Sequence, residues 1–158
     1  QVWGRVGANK YLLDQVRDRM SFPKTIAEFI KQSAKWPQAF AKLVEDKANG
    51  PAVISTLKDK LSGIIAVEPQ GSKPARVAAI SPDVEAGNVF LPNPKIYPWV
   101  QDLIDECSNF PKGAHDDQVD ALSQALLRFK QEKTGSWTEE MAGKSEGTIV
   151  ASLTGTDW

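Results

Sequence analysis

One cysteine, Cys107, and one histidine, His115, are all that 158 residues contain of either type. A lone cysteine cannot close a disulfide within the chain and suits a reducing compartment. With so few thiols and imidazoles, a structural zinc site lacks its ligands. An excess of charge is missing too: 19 basic against 20 acidic residues leave a formal net charge of −1. The overall cationic signature of a nucleic-acid binder is therefore absent, and any DNA contact must come from local patches. No apolar run approaches membrane-spanning length, and no signal peptide is visible. The length suffices for one domain with its own core. The opening Gln1-Val2-Trp3, without an initiator Met and apparently inside a strand, reads as the start of a piece of a longer protein.

What is present is an alternation of period two with period 3.6. Val2 to Val6 and Tyr11 to Arg17 predict two strands joined by a tight Gly7-Ala8-Asn9-Lys10 turn. Ser21 with Pro23 opens a helix through Ile26, Phe29, Ile30 and Ala34, which Trp36-Pro37 ends. Ala39 to Val44 predicts a short buried strand, and Gly50-Pro51 starts a helix carrying Val53, Ile54, Leu57 and Leu61. Gly63 to Val67 is a further strand. A helix from Arg76 to Ile80, broken at Ser81-Pro82, leads to a Val89-Phe90-Leu91 extended segment. Helices over Trp99 to Cys107 and Asp117 to Phe129 follow, with Ile96, Tyr97, Trp99, Val100 and Leu103 assigned to the core. A hairpin followed by alternating helix and strand makes this an α/β layered domain. From about Glu132 the chain turns polar, Gly/Ser/Thr-rich and aperiodic, and residues 132–158 read as a flexible C-terminal tail. Within it, Ala142-Gly143-Lys144-Ser145 echoes the end of a phosphate-binding P-loop. Thr138 stands where that loop needs its first glycine, and no strand precedes it, so no ATP site is assigned.

The richest segment is Gly113-Ala114-His115-Asp116-Asp117-Gln118-Val119-Asp120-Ala121. Three carboxylates fall within five positions at the start of a helix whose apolar face is Val119, Leu122, Ala125, Leu126 and Phe129. At about 100° per residue, Asp117 and Asp120 lie roughly 60° apart on another face. Like charges at i,i+3 repel by a few tenths of a kcal/mol, and a hard divalent cation would offset that cost. Aspartate is equally a preferred cap, and Asp120, sharing its face with Gln124 and Arg128, could be solvated or paired with a basic neighbour. Spacing leaves both readings open.

The surrounding residues add a resemblance. Phe110-Pro111-Lys112-Gly113-Ala114-His115-Asp116-Asp117-Gln118-Val119-Asp120-Ala121-Leu122 resembles the closing motif of the nuclease domain in the large subunit of tailed-phage DNA-packaging terminases. Val2-Trp3-Gly4-Arg5, Tyr11 to Arg17, Leu43 to Gly50, Gly71-Ser72-Lys73-Pro74-Ala75-Arg76 and Ala86-Gly87-Asn88-Val89 resemble that family in its order, so the likeness covers residues 1 to 131.

The resemblance implies a ribonuclease H-like fold, a mixed sheet flanked by helices. It implies a metal-dependent endonuclease that cuts double-stranded concatemeric phage DNA during packaging, using Mg²⁺ or Mn²⁺. In two-metal hydrolysis one ion activates water and the other stabilises the leaving 3′ oxygen. Such a site needs carboxylates from several elements. Glu45, ending Lys42-Leu43-Val44, matches the family's strand-end glutamate, whereas alternation turns Asp46 to the opposite side. Glu45, Asp117 and Asp120 are then the catalytic metal ligands, with Asp116 a lesser alternative. The family's first aspartate belongs to a strand before Val2 that this chain lacks. That predicts an incomplete metal site, an unpaired sheet edge and poor cleavage by this chain alone. Asp14 is not at the ligand position and is expected to face a basic residue or solvent.

Lys47, Lys73 and Arg76 are candidates for DNA phosphates, which position a duplex without reading sequence. His115 takes a supporting hydrogen-bond role near the acids. The implied partners are double-stranded DNA, the portal, the small terminase subunit and an upstream ATPase domain, with no membrane. The implied place is the host cytoplasm, at the procapsid. Two alternatives are a RuvC-like junction resolvase, whose last helix also carries two acids three apart, and a non-catalytic module docking on the portal or procapsid.

Overall fold

The computed structural model describes residues 1–134 and 148–153. Strands β1 (Val2–Val6) and β2 (Asn9–Asp14) form the expected hairpin, with Val6 opposite Asn9. The turn is shorter than the pattern suggested, and Gly7 takes the positive φ of 58° that a two-residue connection requires. Helix α1 (Phe22–Lys35) starts at Ser21 with a proline in its first turn and stops before Trp36-Pro37. Strand β3 (Ala39–Glu45), helix α2 (Gly50–Lys58) and strand β4 (Ile64–Val67) follow, then α3 (Lys73–Glu85), β5 (Val89–Phe90), α4 (Trp99–Asn109), α5 (Asp117–Thr134) and β6 (Thr148–Leu153).

The sheet runs in the order β4-β3-β6-β1-β2-β5. Strand β6 is antiparallel to β1 and parallel to β3, β4 is parallel to β3, and β5 is parallel to β2. This corrects two expectations. No unpaired edge is left beside β1, because β6 lies between β1 and β3, in register from Val2 opposite Ala151 to Arg5 opposite Thr148. The flexible tail does not start at 132 either: α5 continues to Thr134, and Thr148–Leu153 is an interior strand. Thr148-Ile149-Val150 is β-branched and Gly147 and Gly155 bracket the run, a short strand signal that the polar composition of the surrounding stretch outweighs in a sequence reading. Ala142 to Ser145 and Asp157-Trp158 lie outside the described residues.

Helices cover both faces, and period-two alternation divides β3 between them. Ala41 and Leu43 join Trp3 and Leu12 against Ile80 of α3, Leu103 of α4 and Leu122, Ala125, Leu126 and Phe129 of α5. Val44 points the other way, into Ile26 of α1 and Val53, Ile54 and Leu57 of α2. Arg5 closes the first core from above: its guanidinium stands 5.5 Å from the Phe129 ring centroid and donates to the Phe129 carbonyl at 2.8 Å. Among the described residues, no helix is long and apolar enough to cross a membrane.

Helix α3 does not break at Pro82. Proline removes the backbone donor that Ala78 O would accept and crowds the preceding turn, but side chains brace the carbonyls on either side: Ser81 Oγ donates to Val77 O at 3.0 Å, and Lys130 Nζ donates to Ala79 O. Burial of Ile80 holds the turn in place. Ile96 and Tyr97 also depart from expectation. They are exposed, and only Val100 and Leu103 of that group are fully buried, since Ile96 and Tyr97 precede α4.

A buried lysine, Lys10, ties β2 to α3 through Asp83 at 2.7 Å, and Lys130 of α5 approaches the same carboxylate at 3.3 Å. Desolvation pushes the Asp83 carboxyl up, but hydrogen bonds and charge from Lys10 and Lys130 outweigh it and hold the group below its ordinary 3.8. A depressed folded value adds stability that is present above 3.8 and is lost as pH falls through the folded pKa. The resistance of the native chain to urea should therefore fall below that pH. Asp83→Asn should be less stable at neutral pH and lose less on acidification. A variant with the native acid slope would exclude this pair as a cause.

Candidate active site

Glu45 is the last residue of β3, where the strand emerges from the sheet. The chain behind it is held close: a Cβ on Gly50 would stand 1.9 Å from the Glu45 carbonyl oxygen, so glycine is required where α2 begins. Ala48 adopts a positive φ of 49° to make that turn. The Glu45 side chain is largely shielded, with Lys47 Nζ at 3.8 Å. Gln124 of α5 donates to Glu45 Oε2 at 3.3 Å. This contact joins the strand-end acid to the acid-bearing helix, one turn beyond Asp120.

Asp117 is the first residue of α5 and is exposed. Asp116 precedes it and is partly exposed; its carbonyl accepts the Asp120 amide at 2.9 Å. Asp120 itself is buried, 6% exposed. Of its two ordinary settings, solvated or paired with a basic neighbour, the second holds, since every residue from Gln118 to Leu126 is buried. Two cations neutralise it. Arg76 Nη2 donates to Asp120 Oδ1, and Lys73 Nζ lies 2.9 Å from Oδ2 and 2.7 Å from Asp116 Oδ1. Burial lowers the Lys73 pKa, but hydrogen bonds and charge from Asp116 and Asp120 prevail and leave it above its ordinary value.

These contacts separate the three basic candidates. Arg76 is buried and also donates to Gly71 O at 3.0 Å, so it locks α3 to α5 and is not presented to a DNA phosphate. Lys73 is 41% exposed and Lys47 62% exposed, so both remain within reach of a ligand. His115 is exposed ahead of α5, and among the described residues no hydrogen bond reaches it. Asp14, as expected, faces basic and polar neighbours, Lys35 at 2.6 Å and Trp36 Nε1 at 2.8 Å.

Sequence reasoning missed two residues that shape the site. Gln124 was visible only as a polar neighbour of Asp120. Glu106 of α4 carried no signal, yet its buried carboxylate accepts the Gln118 amide at 2.6 Å and the Val119 amide at 3.1 Å, the donors left open at the start of α5.

The donors fit a hard divalent cation in kind, since the exposed groups are carboxylate oxygens and Gln124 Oε1 is buried beside Glu45 without a hydrogen-bond partner. They do not fit in number. Among the described residues, no three His, Cys, Asp or Glu side chains gather closely enough to hold a metal ion.

A mixed sheet flanked by helices, with an acid ending a central strand and further acids opening the helix packed beside it, defines a nuclease domain of ribonuclease H-like architecture. The model of one family, the terminase RNaseH-like domain, matches residues 1–129, and the chain belongs to that family. No curated protein and no solved structure matches it. Membership gives the chain a nuclease role in DNA packaging in general.

Proposed function

We propose that this domain hydrolyses phosphodiester bonds of double-stranded concatemeric DNA with the help of a divalent cation, Mg²⁺ or Mn²⁺. The observation that carries the reading is the Gln124 to Glu45 contact, which sets the strand-end acid against the helix that opens with Asp117. Glu45 and Asp117 would be two of the cation's ligands, a set that the described residues do not complete. Asp120, already paired with two cations, serves the site from beneath, and Asp116 answers Lys73. A divalent ion, when bound, would supply Lewis-acid stabilisation of the charge developing on the phosphate and would help to deprotonate water.

The residues present have their own tasks. Lys47 and Lys73 receive DNA phosphates, and their loose or shared ion pairs leave them able to turn toward a strand. Glu45 and Asp117 keep negative charge at the mouth of the cleft, which draws in cations and repels DNA until one is bound. The partners proposed are the packaging ATPase, the portal and the small terminase subunit, encountered at the procapsid in the host cytoplasm.

Incubating supercoiled plasmid with the purified chain tests this reading. Slow nicking in Mn²⁺, weaker in Mg²⁺ and stopped by EDTA, is the expected result. Nicking that survives EDTA would overturn the requirement for a metal. No nicking at any Mn²⁺ concentration would overturn cleavage by this chain.

A further inference from the structure

Two acids and two bases meet between α3 and α5, and they divide into a buried half and an exposed half. The side chains of Arg76 and Asp120 are 6% and 8% exposed and pair inside the protein. Those of Lys73 and Asp116 are 41% and 39% exposed and pair at its surface, 2.7 Å apart. Lys73 Nζ also lies 2.9 Å from Asp120 Oδ2. If Lys73 turned away, Asp120 would keep Arg76. Asp116 would lose its ion-pair partner among the described residues.

The backbone that carries Lys73 is fixed independently of that pair. Ser72 Oγ accepts the Ala75 amide at 3.3 Å, and Arg76 Nη1 donates to Gly71 O at 3.0 Å. The turn into α3 is thus tied down, and only the Lys73 side chain need move to exchange one anion for another. A carboxylate and a phosphate diester offer an ammonium the same thing, an anionic oxygen at hydrogen-bond distance. Lys47 provides the contrast: its carboxylate neighbour, Glu45 Oε1, stands 3.8 Å away, beyond hydrogen-bond reach, so Lys47 gives up little when it turns.

We propose that Asp116 is a built-in competitor for DNA phosphate at Lys73. Its carboxylate holds the ammonium in the free protein, and a phosphate oxygen displaces it when a strand arrives. Arg76 keeps the buried Asp120 neutralised throughout, so the exchange leaves no charge stranded inside. The proposal rests on the reading of Lys73 as a phosphate contact, and it requires no metal ion.

The test is the affinity of the purified chain for a short labelled duplex, read by fluorescence anisotropy in EDTA at low salt. Cleavage is then silent, and the uncompensated charge of Glu45 and Asp117 is common to every variant and cancels from the comparison. Asp116→Asn should bind about fivefold more tightly than the native chain, the upper range for release from a partly exposed ion pair. Its melting temperature should stay close to native, because the Asp116 carbonyl still accepts the Asp120 amide. Lys73→Gln should bind more weakly, with a salt dependence shallower by about one in log–log slope, as for one lost phosphate contact.

The decisive comparison is a double-mutant cycle. Asp116→Asn should gain the same about fivefold in a Lys47→Gln background, and less than about twofold in a Lys73→Gln background, where only screened repulsion is relieved. Equal gains with Lys73 present and absent would show plain charge repulsion and overturn the competition alone. If Asp116→Asn does not fold, Asp116→Ser removes the same charge, keeps a short polar side chain before α5 and should give the same cycle. A native chain that binds no duplex even at low salt would overturn the phosphate contact at Lys73 and the competition with it.

Discussion

Asp117→Ala is expected to cut Mn²⁺-dependent nicking by at least about a hundredfold, the scale on which a preorganised electrostatic group is lost from an active site. Asp117 is exposed at the start of α5, so under the proposed function its removal takes a donor from the cation without opening a cavity in the core. Thermal stability should therefore stay close to native, and Mn²⁺ affinity should fall together with activity. Glu45→Gln should behave alike. Asp120→Ala should lose activity for a different reason. Its carboxylate is buried with Arg76, and breaking such a pair costs about 3–5 kcal/mol because the remaining charge stays inside. Melting curves and nicking rates read side by side distinguish the two. Full activity in a folded Asp117→Ala chain would remove Asp117 from the site.

Val150→Pro should abolish cooperative unfolding. Val150 lies in the middle of β6, opposite Trp3 on one side and Ala41 on the other. Proline there loses a ladder donor, and its ring clashes with a neighbouring strand, which is why central strands exclude it. The damage extends beyond one hydrogen bond. Within the sheet of the described residues, β6 is the strand between the β4-β3 pair and the β1-β2-β5 group, so its loss divides the sheet and weakens the core that Trp3 and Leu43 share. Val150→Thr, which keeps the amide and a branched side chain, should melt close to the native chain. If Val150→Pro unfolded like the native chain, β6 could not be the strand that fills the sheet.

The local pattern carried much of the architecture. Period-two and period-3.6 segments placed β1 to β5 and α1 to α5 within a few residues, because burying one face of a strand or helix imposes those periods on the chain. The family resemblance then located Glu45 at a strand end and the acids at a helix start, and the structure places them there. The remainder was invisible for a common reason: it depends on which distant segments meet. Asp120 looked the same whether solvated or buried, and only the packing of α3 on α5 gave it Arg76, 44 positions away. Pro82 carried a local breaking signal that the docked helix overrode. The strand at Thr148–Leu153 is short and stands in a polar, Gly/Ser/Thr-rich stretch, and its partners β1 and β3 lie more than 100 positions away.

Composition and spacing by themselves determined the α/β class, the absence of a disulfide or structural zinc framework, and which carboxylates were candidates for chemistry. Those follow from residue type and from periods of two and 3.6, which act over a few neighbours. Tertiary structure alone decided that Arg76 is a buried counter-ion, that Glu106 caps the acid helix and that β6 lies between β1 and β3. Each of these is a pairing of donors, acceptors or charges drawn from separate elements, and burial makes it decisive, because a polar group removed from water must find its partner wherever the fold brings one.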